Sequence, residues 1–477
     1  MSRRLLALAA LVSLAACSVD PVTGRSTLLL MSEGQEIALG EQTDEASLAQ
    51  FGAYDDPGLE AWVNEIGQGM AQRAERPHLP WTFRVLDDSI VNAFAAGGGF
   101  VYLTRGILAW ANSEAEIVGI LGHEIGHVTA RHIPERYTST TLAQVGLAAG
   151  MIISPELRAV GGELQQGLGL LLLKFSRDNE SESDRLGVRY AVEAGYDARA
   201  LADFFSTLDR LAGPAAQRLP EWASTHPAPA GRAAQVTEIA EPLVAGRELT
   251  VGRSAHLRRI DGMVFGPNPR EGVMEGATFV HPDLLFQIDF PADWAVQNSK
   301  TVVIGAPEDG SAVVALLASR REAETLRAHV GAVLEGRGAT NARGERTTVN
   351  GYPAFWVAYN IEDGATTLGV RETFVEYGDL VYDLVGYTLD ADYARFAPAF
   401  EAYQDSFRSL SQSRADRYQP DRIRITRVAR SATFESLVQD TPAADVDQLA
   451  LLNGVARTST LESGALIKTV DAGYPRR

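Results

Sequence analysis

The chain has 477 residues, enough for more than one domain at about 150 residues each. An apolar content of 45% beside 22% charged residues describes a globular protein. The net charge is −18, or −18 − 2 = −20 if Arg3 and Arg4 leave with an amino-terminal signal. Such acidity disfavours nucleic acid as a partner, and no basic cluster interleaved with aromatic residues appears.

Met1 to Cys17 reads MSRRLLALAALVSLAAC. Arg3 and Arg4 form a charged start, and Leu5 to Leu14 is an apolar run too short to span a bilayer as a mature helix. Leu14-Ala15-Ala16-Cys17 resembles a bacterial lipobox, which implies lipidation of Cys17 as the first mature residue. Ordinary secretory cleavage after Ala16 is the alternative. Cys17 is the only cysteine, so no intrachain disulfide can form. Ser18, rather than Asp, follows it, which suggests an outer-membrane lipoprotein facing the periplasm.

Residues 18–260 read as a mainly helical unit with one strand-rich insert near Trp81 to Leu103. The glycines Gly97, Gly98 and Gly99 followed by Phe100 to Leu103 suggest a strand with an open edge, to which an extended substrate could add by backbone hydrogen bonds. A hairpin with a Gly-rich turn explains the same residues. Next comes LGHEIGHVTAR, Leu121 to Arg131, on a helix with Ser113 as N-cap and Glu116 as its capping-box partner. His123 and His127 are four apart and share one helix face. Two imidazoles so placed can hold Zn²⁺, with Glu124 as general base for amide hydrolysis.

A catalytic zinc site needs a third protein ligand. Downstream, Glu180 and Asp184 share one face of a second helix. Glu180 can complete the ligand set, and Asp184 can accept a proton from the far nitrogen of a ligand His. Glu182 is the rival ligand, but it sits about 200° around the helix from Glu180. Metzincins place a third His about ten residues after the first, behind a Gly turn. Here His132 follows His123 by nine, without that Gly, and a continued helix would point it away from the ligand face. The apolar runs Leu142 to Ile153 and Gly162 to Leu173 are too short to be transmembrane. They read as buried helices, or else as a cover over the cleft. Arg199 to Leu211 reads as an amphipathic helix closing the core.

Taken together, Asn92 to His132, Ser176-Arg177 with Glu180 and Asp184, Asp20 to Gln42, and Ser224 to Arg232 resemble the HtpX and CAAX prenyl protease family of gluzincin metallopeptidases. The likeness is to its soluble periplasmic branch and covers about residues 20 to 240. It implies that Glu180 is the third zinc ligand and Asp184 its supporting partner. Similar proteins also carry a His near the metal at the position of His226. That His could fill the open zinc position in a resting form, or donate a hydrogen bond to the oxyanion. It could also be a loop residue packed on Trp222. Arg232 could steady the same region.

Glycines and prolines mark residues 261–276 as a linker. Strand-like runs then recur through 277–412: Leu285 to Phe290, Thr301 to Ile304, Ala312 to Leu317, Ala354 to Tyr359, Val370 to Glu376 and Leu380 to Thr388. Helical patterns interrupt at Ala323 to Leu334 and Tyr393 to Leu410. This is an antiparallel α+β domain that resembles PsbP and Mog1 and carries no catalytic constellation. Residues 420–472 resemble a LysM domain in βααβ order, a module that binds peptidoglycan glycan. A small capping domain is the other reading.

The expectation is a multidomain chain: a mainly α, zincin-type metallopeptidase domain with a small sheet, an α+β domain and a small LysM-like domain. Its cofactor is one Zn²⁺, and its substrates are misfolded or stalled envelope proteins. Two alternatives stand beside this, a chaperone-like assembly factor and a peptidoglycan-associated hydrolase.

Overall fold

A computed structural model describes residues 17–151, 175–212, 222, 226, 231–321, 323–363, 366–439, 441 and 445–473. The signal-like residues 1–16, all of Gly162 to Leu173 with the end of Leu142 to Ile153, and most of Ser224 to Arg232 lie outside the described residues. The chain forms two compact units, 1–267 with 421–472, and 268–420 with 473–477.

The first unit opens with a short hairpin, β1 (Cys17–Val19) and β2 (Ser26–Leu28). Helices α1 (Glu33–Phe51) and α2 (Pro57–Ala71) follow. Ser32 and Gln35 close a capping box on α1, and Asp56 with Pro57 at the first turn starts α2. Next come β3 (Thr82–Leu86), β4 (Ala93–Ala96) and β5 (Phe100–Thr104). Then follow helices α3 (Arg105–Trp110), α4 (Glu114–Thr129), α5 (His132–Met151), α6 (Arg177–Glu193), α7 (Ala200–Leu211), α8 (Arg232–Val244) and α9 (Arg253–Arg259).

In the small sheet the order is β3-β5-β4, with β3 parallel and β4 antiparallel to β5. This corrects the expectation of an open edge at Phe100 to Leu103. The Gly97 to Gly99 turn, with φ of +76° at Gly98 and +103° at Gly99, folds the chain back so that β5 becomes the central strand. The edge beside α4 is β4 instead.

The second unit holds a seven-stranded antiparallel sheet, ordered β12-β13-β14-β15-β11-β10-β9, and a four-stranded sheet ordered β16-β8-β7-β6. The sequence runs β6 (Val273–Glu275), β7 (Thr278–His281), β8 (Phe286–Asp289), β9 (Ala295–Asn298), β10 (Val303–Ala306), β11 (Ala312–Arg320), α10 (Leu326–Gly336), β12 (Thr340–Val349), β13 (Tyr352–Asp363), β14 (Thr366–Tyr377), β15 (Leu380–Leu389), α11 (Tyr393–Asp405) and β16 (Arg408–Ser409). Phe396, Phe400 and Tyr403 of α11 share a core with Phe279, Phe286 and Leu384, while Val330 of α10 packs in a second core with Val357 and Phe374.

The carboxyl-terminal segment returns to the first unit: β17 (Arg422–Arg427), β18 (Ala432–Thr433), α12 (Phe434–Val438), α13 (Val446–Leu452), β19 (Thr460–Leu461) and β20 (Leu466–Asp471). β17 and β20 pair antiparallel. Ile423, Phe434, Leu449 and Val470 lie in the same core as Ile117, Leu121 and Ile125 of α4. Lys468 is fully buried there, and its Nζ donates to Ala109 O and Ala111 O, both at 2.8 Å, where α3 ends. An amine at a helix carboxyl end supplies the donors that the last carbonyls lack. His256 of α9 joins them, its Nε2 3.1 Å from Leu108 O and 3.0 Å from Ala111 O.

Candidate metal centre

Helix α4 begins at the expected N-cap, Ser113, but Glu116 does not close the expected capping box, because its carboxylate takes the N–H of Asn112 and not that of Ser113. Ser113 Oγ accepts from Glu116 N at 3.2 Å, and Glu116 Oε2 accepts from Asn112 N at 2.9 Å. Every residue of α4 is buried. Its neighbour α6 starts at a capping box of Ser176 with Asn179. The two helices cross closely because glycines meet at the crossing. A Cβ on Gly122 would lie 2.8 Å from Gly187 O, and one on Gly187 would lie 2.8 Å from His123 N. This approach sets Glu180 of α6 against His123 and His127 of α4.

The four groups His123, His127, Glu180 and His226 bring one ligand atom each to within 4.8 Å of one another, all buried. His123 Nε2 and His127 Nε2 are 3.0 Å apart. Glu180 Oε2 lies 3.6 Å from His123 Nε2, and its Oε1 lies 3.5 Å from His127 Nε2. His226 Nδ1 lies 3.0 Å from Glu180 Oε1 and 3.3 Å from His123 Nε2. Donors bonded to one tetrahedral zinc at ~2.0–2.1 Å stand roughly 3.3 Å from each other, so this set fits the ion. The proton inventory agrees. His123 Nδ1 faces Asp184 Oδ1 at 3.0 Å, which makes Nδ1–H the donor and turns the Nε2 lone pair towards the shared centre.

Asp184 is itself clasped by Arg232, whose Nε and Nη2 donate at 2.7 Å to its two oxygens. Arg232 Nη1 also lies 3.0 Å from Glu180 Oε2. Burial would raise the Asp184 carboxyl, but the Arg232 and His123 hydrogen bonds hold it below the usual range. Burial would likewise raise Glu180, yet His226, His127 and His123 hold it well below. Burial drives the His127 imidazole well below its ordinary value, the neutral form a metal ligand needs.

Glu124 is fully buried beside the cluster. Its Oε1 accepts from Trp222 Nε1 at 3.3 Å and lies 3.7 Å from His226 Nε2. Its Oε2 has no hydrogen-bond partner among the described residues. His226 stacks on Trp222, ring centroids 4.8 Å apart and planes 21° apart, and its backbone N donates to Trp222 O at 2.8 Å. Trp222 N in turn donates to Val91 O at 3.2 Å, just before the β4 edge.

The expectation that His132 points away from the ligand face is corrected. The helix does not continue: Arg131 adopts a left-handed φ of +59°, and α5 begins anew at His132. The turn swings His132 Nδ1 to 3.0 Å from His127 Nδ1, while its Nε2 lies 3.4 Å from Glu182 Oε2. Glu182 therefore reaches the centre through His132 and does not join the donor cluster. The sequence signal for this break is Pro134: it lacks the N–H a continuing helix would need there, and it sits in the first turn of α5 instead.

Two histidines one turn apart on one helix, with a carboxylate from the next, define a gluzincin-type metallopeptidase site. Residues 57–240 match Peptidase family M48, and this part of the chain is a peptidase M48 domain. Over 234 residues the chain is 29% identical to the beta-barrel assembly-enhancing protease of Escherichia coli (strain K12), covering 47% of each protein. Over 204 residues it is 31% identical to the mitochondrial metalloendopeptidase OMA1 of Arabidopsis thaliana, covering 42% of this chain and 40% of that one. The matched stretch thus spans about half the length of these relatives or less. The solution structure of cyanobacterial PsbP from Synechocystis sp. PCC 6803 aligns with 29% of this chain and 95% of its own at 14% identity, with a TM-score of 0.25.

Proposed function

We propose that this chain is a zinc-dependent endopeptidase of the bacterial cell envelope that hydrolyses misfolded or stalled envelope proteins. The observation that carries the reading is the buried meeting of His123, His127 and Glu180 next to Glu124. When bound, Zn²⁺ supplies Lewis acidity, making water acidic near neutral pH and polarising a peptide carbonyl. His123, His127 and Glu180 hold the ion. Asp184 and Arg232 fix the His123 tautomer and aim its ring. Glu124, with one oxygen tied to Trp222 and the other without a hydrogen-bond partner among the described residues, accepts a proton from water and returns it to the leaving amine. The β4 edge beside α4 offers backbone groups to an extended chain, which favours unfolded segments of varied sequence.

His226 closes this site in the resting protein. Its Nδ1 stands among the ligand atoms, 3.0 Å from Glu180 Oε1 and 3.3 Å from His123 Nε2, and would compete there with substrate or water for a bound ion. Its displacement, with Trp222, is the opening step.

The name of the Escherichia coli relative supports outer-membrane protein assembly as the setting. The lipobox-like start supports a lipoprotein anchored at Cys17 on the periplasmic side. No described helix is long and apolar enough to cross a membrane. The β17, α12, α13, β20 order supports a LysM-like reading of 420–472, and binding of purified peptidoglycan tests it. Residues 277–412 read as a PsbP- or Mog1-like α+β domain that binds or positions substrate. The chaperone-like alternative gains if a Glu124→Gln protein that cleaves nothing still relieves envelope defects in cells. Cleavage of an unfolded substrate such as casein by the zinc-loaded chain, abolished by Glu124→Gln, tests the proposal itself.

A further inference from the structure

Nine large apolar side chains are exposed among the described residues, and three of them fall within residues 19–30: Val19 at 62%, Leu28 at 47% and Leu30 at 38%. Val19 is the most exposed of the nine. They belong to the β1–β2 hairpin and the residues after it. The register pairs Cys17 with Leu28, Ser18 with Thr27 and Val19 with Ser26. Opposed residues of an antiparallel pair share a face, and faces alternate along each strand. Ser18 and Thr27 therefore share one face, and Val19, Ser26 and Leu28 the other. The Ser18 face meets the protein: Ser18 Oγ accepts from Arg131 Nη1 at 2.6 Å. The Val19 and Leu28 face is the outward one. The alternation continues past β2, where Leu29 and Met31 are buried and Leu30 is exposed.

The hairpin is firmly attached. Arg131 Nη2 donates to Met31 O, and Leu30 N donates to Thr138 Oγ1 of α5 at 2.9 Å. The Asp20 carboxylate accepts from Val22 N, Thr23 N and Thr23 Oγ1, which pins the turn. Arg131 also pairs with buried Glu36 and stands four residues past His127, at most ~14 Å of chain.

We infer that the outward face of this hairpin lies on a phospholipid bilayer, with Val19, Leu28 and Leu30 at the interface beside an anchor on Cys17. The inference rests on the proposed lipidation of Cys17, whose register partner is Leu28. Lipid there puts acyl chains against this face, and apolar side chains at an interface leave water. A second copy is a poorer occupant, because three side chains present far less than the roughly 800 Å² per partner of a stable interface. The bilayer contact makes the anchor a platform instead of a loose tether. Through Ser18 and Arg131 it orients the end of the zinc-motif helix, so that the centre works close to the membrane surface.

The single cysteine allows a direct test. The chain from Cys17 to Arg477 is coupled through its thiol to phosphatidylethanolamine and phosphatidylglycerol vesicles bearing a maleimide lipid. Hydrogen exchange over residues 18–31 is compared with that of N-ethylmaleimide-capped protein in solution. At least tenfold slower exchange on vesicles is expected. V19S/L28S/L30S, tethered alike, should lose that protection while its casein cleavage in solution is unchanged, and V19S alone should lose part of it. Equal exchange on and off vesicles overturns the inference, as does protection that survives in the triple variant. Protection that instead rises with protein concentration in solution overturns it in favour of a second copy. Because the tether is chemical, the result stands apart from the anchor reading, which fails separately if the Cys17 peptide from cells carries no lipid mass.

Discussion

His226 Nδ1 lies 3.0 Å from Glu180 Oε1, closer than either histidine of the zinc motif comes to that carboxylate. A residue from a separate segment has entered the donor cluster, and its Nε2 lies 3.7 Å from Glu124 Oε1. The donor set is therefore four groups where catalysis needs three and an open position. Replacing His226 by Ala should raise kcat/KM on an unfolded substrate by about 3- to 30-fold, by removing the closed form from the resting population. Steady-state cleavage of casein with matched zinc content checks this. A fall in kcat at constant KM would instead assign His226 to transition-state stabilisation.

On the proposed reading, Asp184 and Arg232 act on the metal through His123, whose Nδ1 faces Asp184 while Arg232 holds that carboxylate. Asp184→Asn removes the charged acceptor of Nδ1–H and should weaken zinc binding about 10- to 100-fold. Competition with a chelator of known affinity measures it. Glu182→Ala should leave zinc affinity within about twofold, since Glu182 contacts His132 and Arg185 and lies outside the donor cluster.

Much of this centre was legible in the sequence, and the reasons are local. The spacings of His123 to His127 and of Glu180 to Asp184 each declare one helix face, and one ion is the simplest demand that joins them. What escaped depends on long-range geometry. The place of His132 hangs on one non-glycine turn at Arg131. β5 reads as an edge because its neighbour β3 arrives by parallel pairing, which leaves no turn signal nearby. Lys468 looks like an ordinary strand residue, and its partners at Ala109 and Ala111 lie more than three hundred residues earlier.

That last contact ties the carboxyl-terminal segment to the stability of the catalytic unit. Burial pushes the Lys468 amine well below its ordinary value while Glu116 opposes the shift, and burial pushes the Glu116 carboxyl up to about 7. Lys468→Ala removes the amine that donates to Ala109 O and leaves Ala111 O to His256 alone, and should cost about 3 kcal/mol. Chemical denaturation followed by tryptophan fluorescence checks the value.

Burial, aided by nearby Lys468, pushes the His256 imidazole down to about 3. Its folded value lies below its unfolded one, so its contribution is full above about pH 6.5. That contribution falls as acidification protonates the unfolded chain. Between pH 7.5 and 4.5 the loss should be about 2–3 kcal/mol. His256→Gln, which keeps a donor but does not titrate, should flatten that part of a Tm-against-pH curve.

The most direct measurement pairs zinc content with cleavage in the Glu124→Gln protein. Glu124 is outside the ligand set, so elemental analysis should find one zinc per chain, as in the unaltered protein, while casein cleavage falls by at least ~10². Equal cleavage by the two proteins would contradict Glu124 as the base, and with it the account of how this centre breaks a peptide bond.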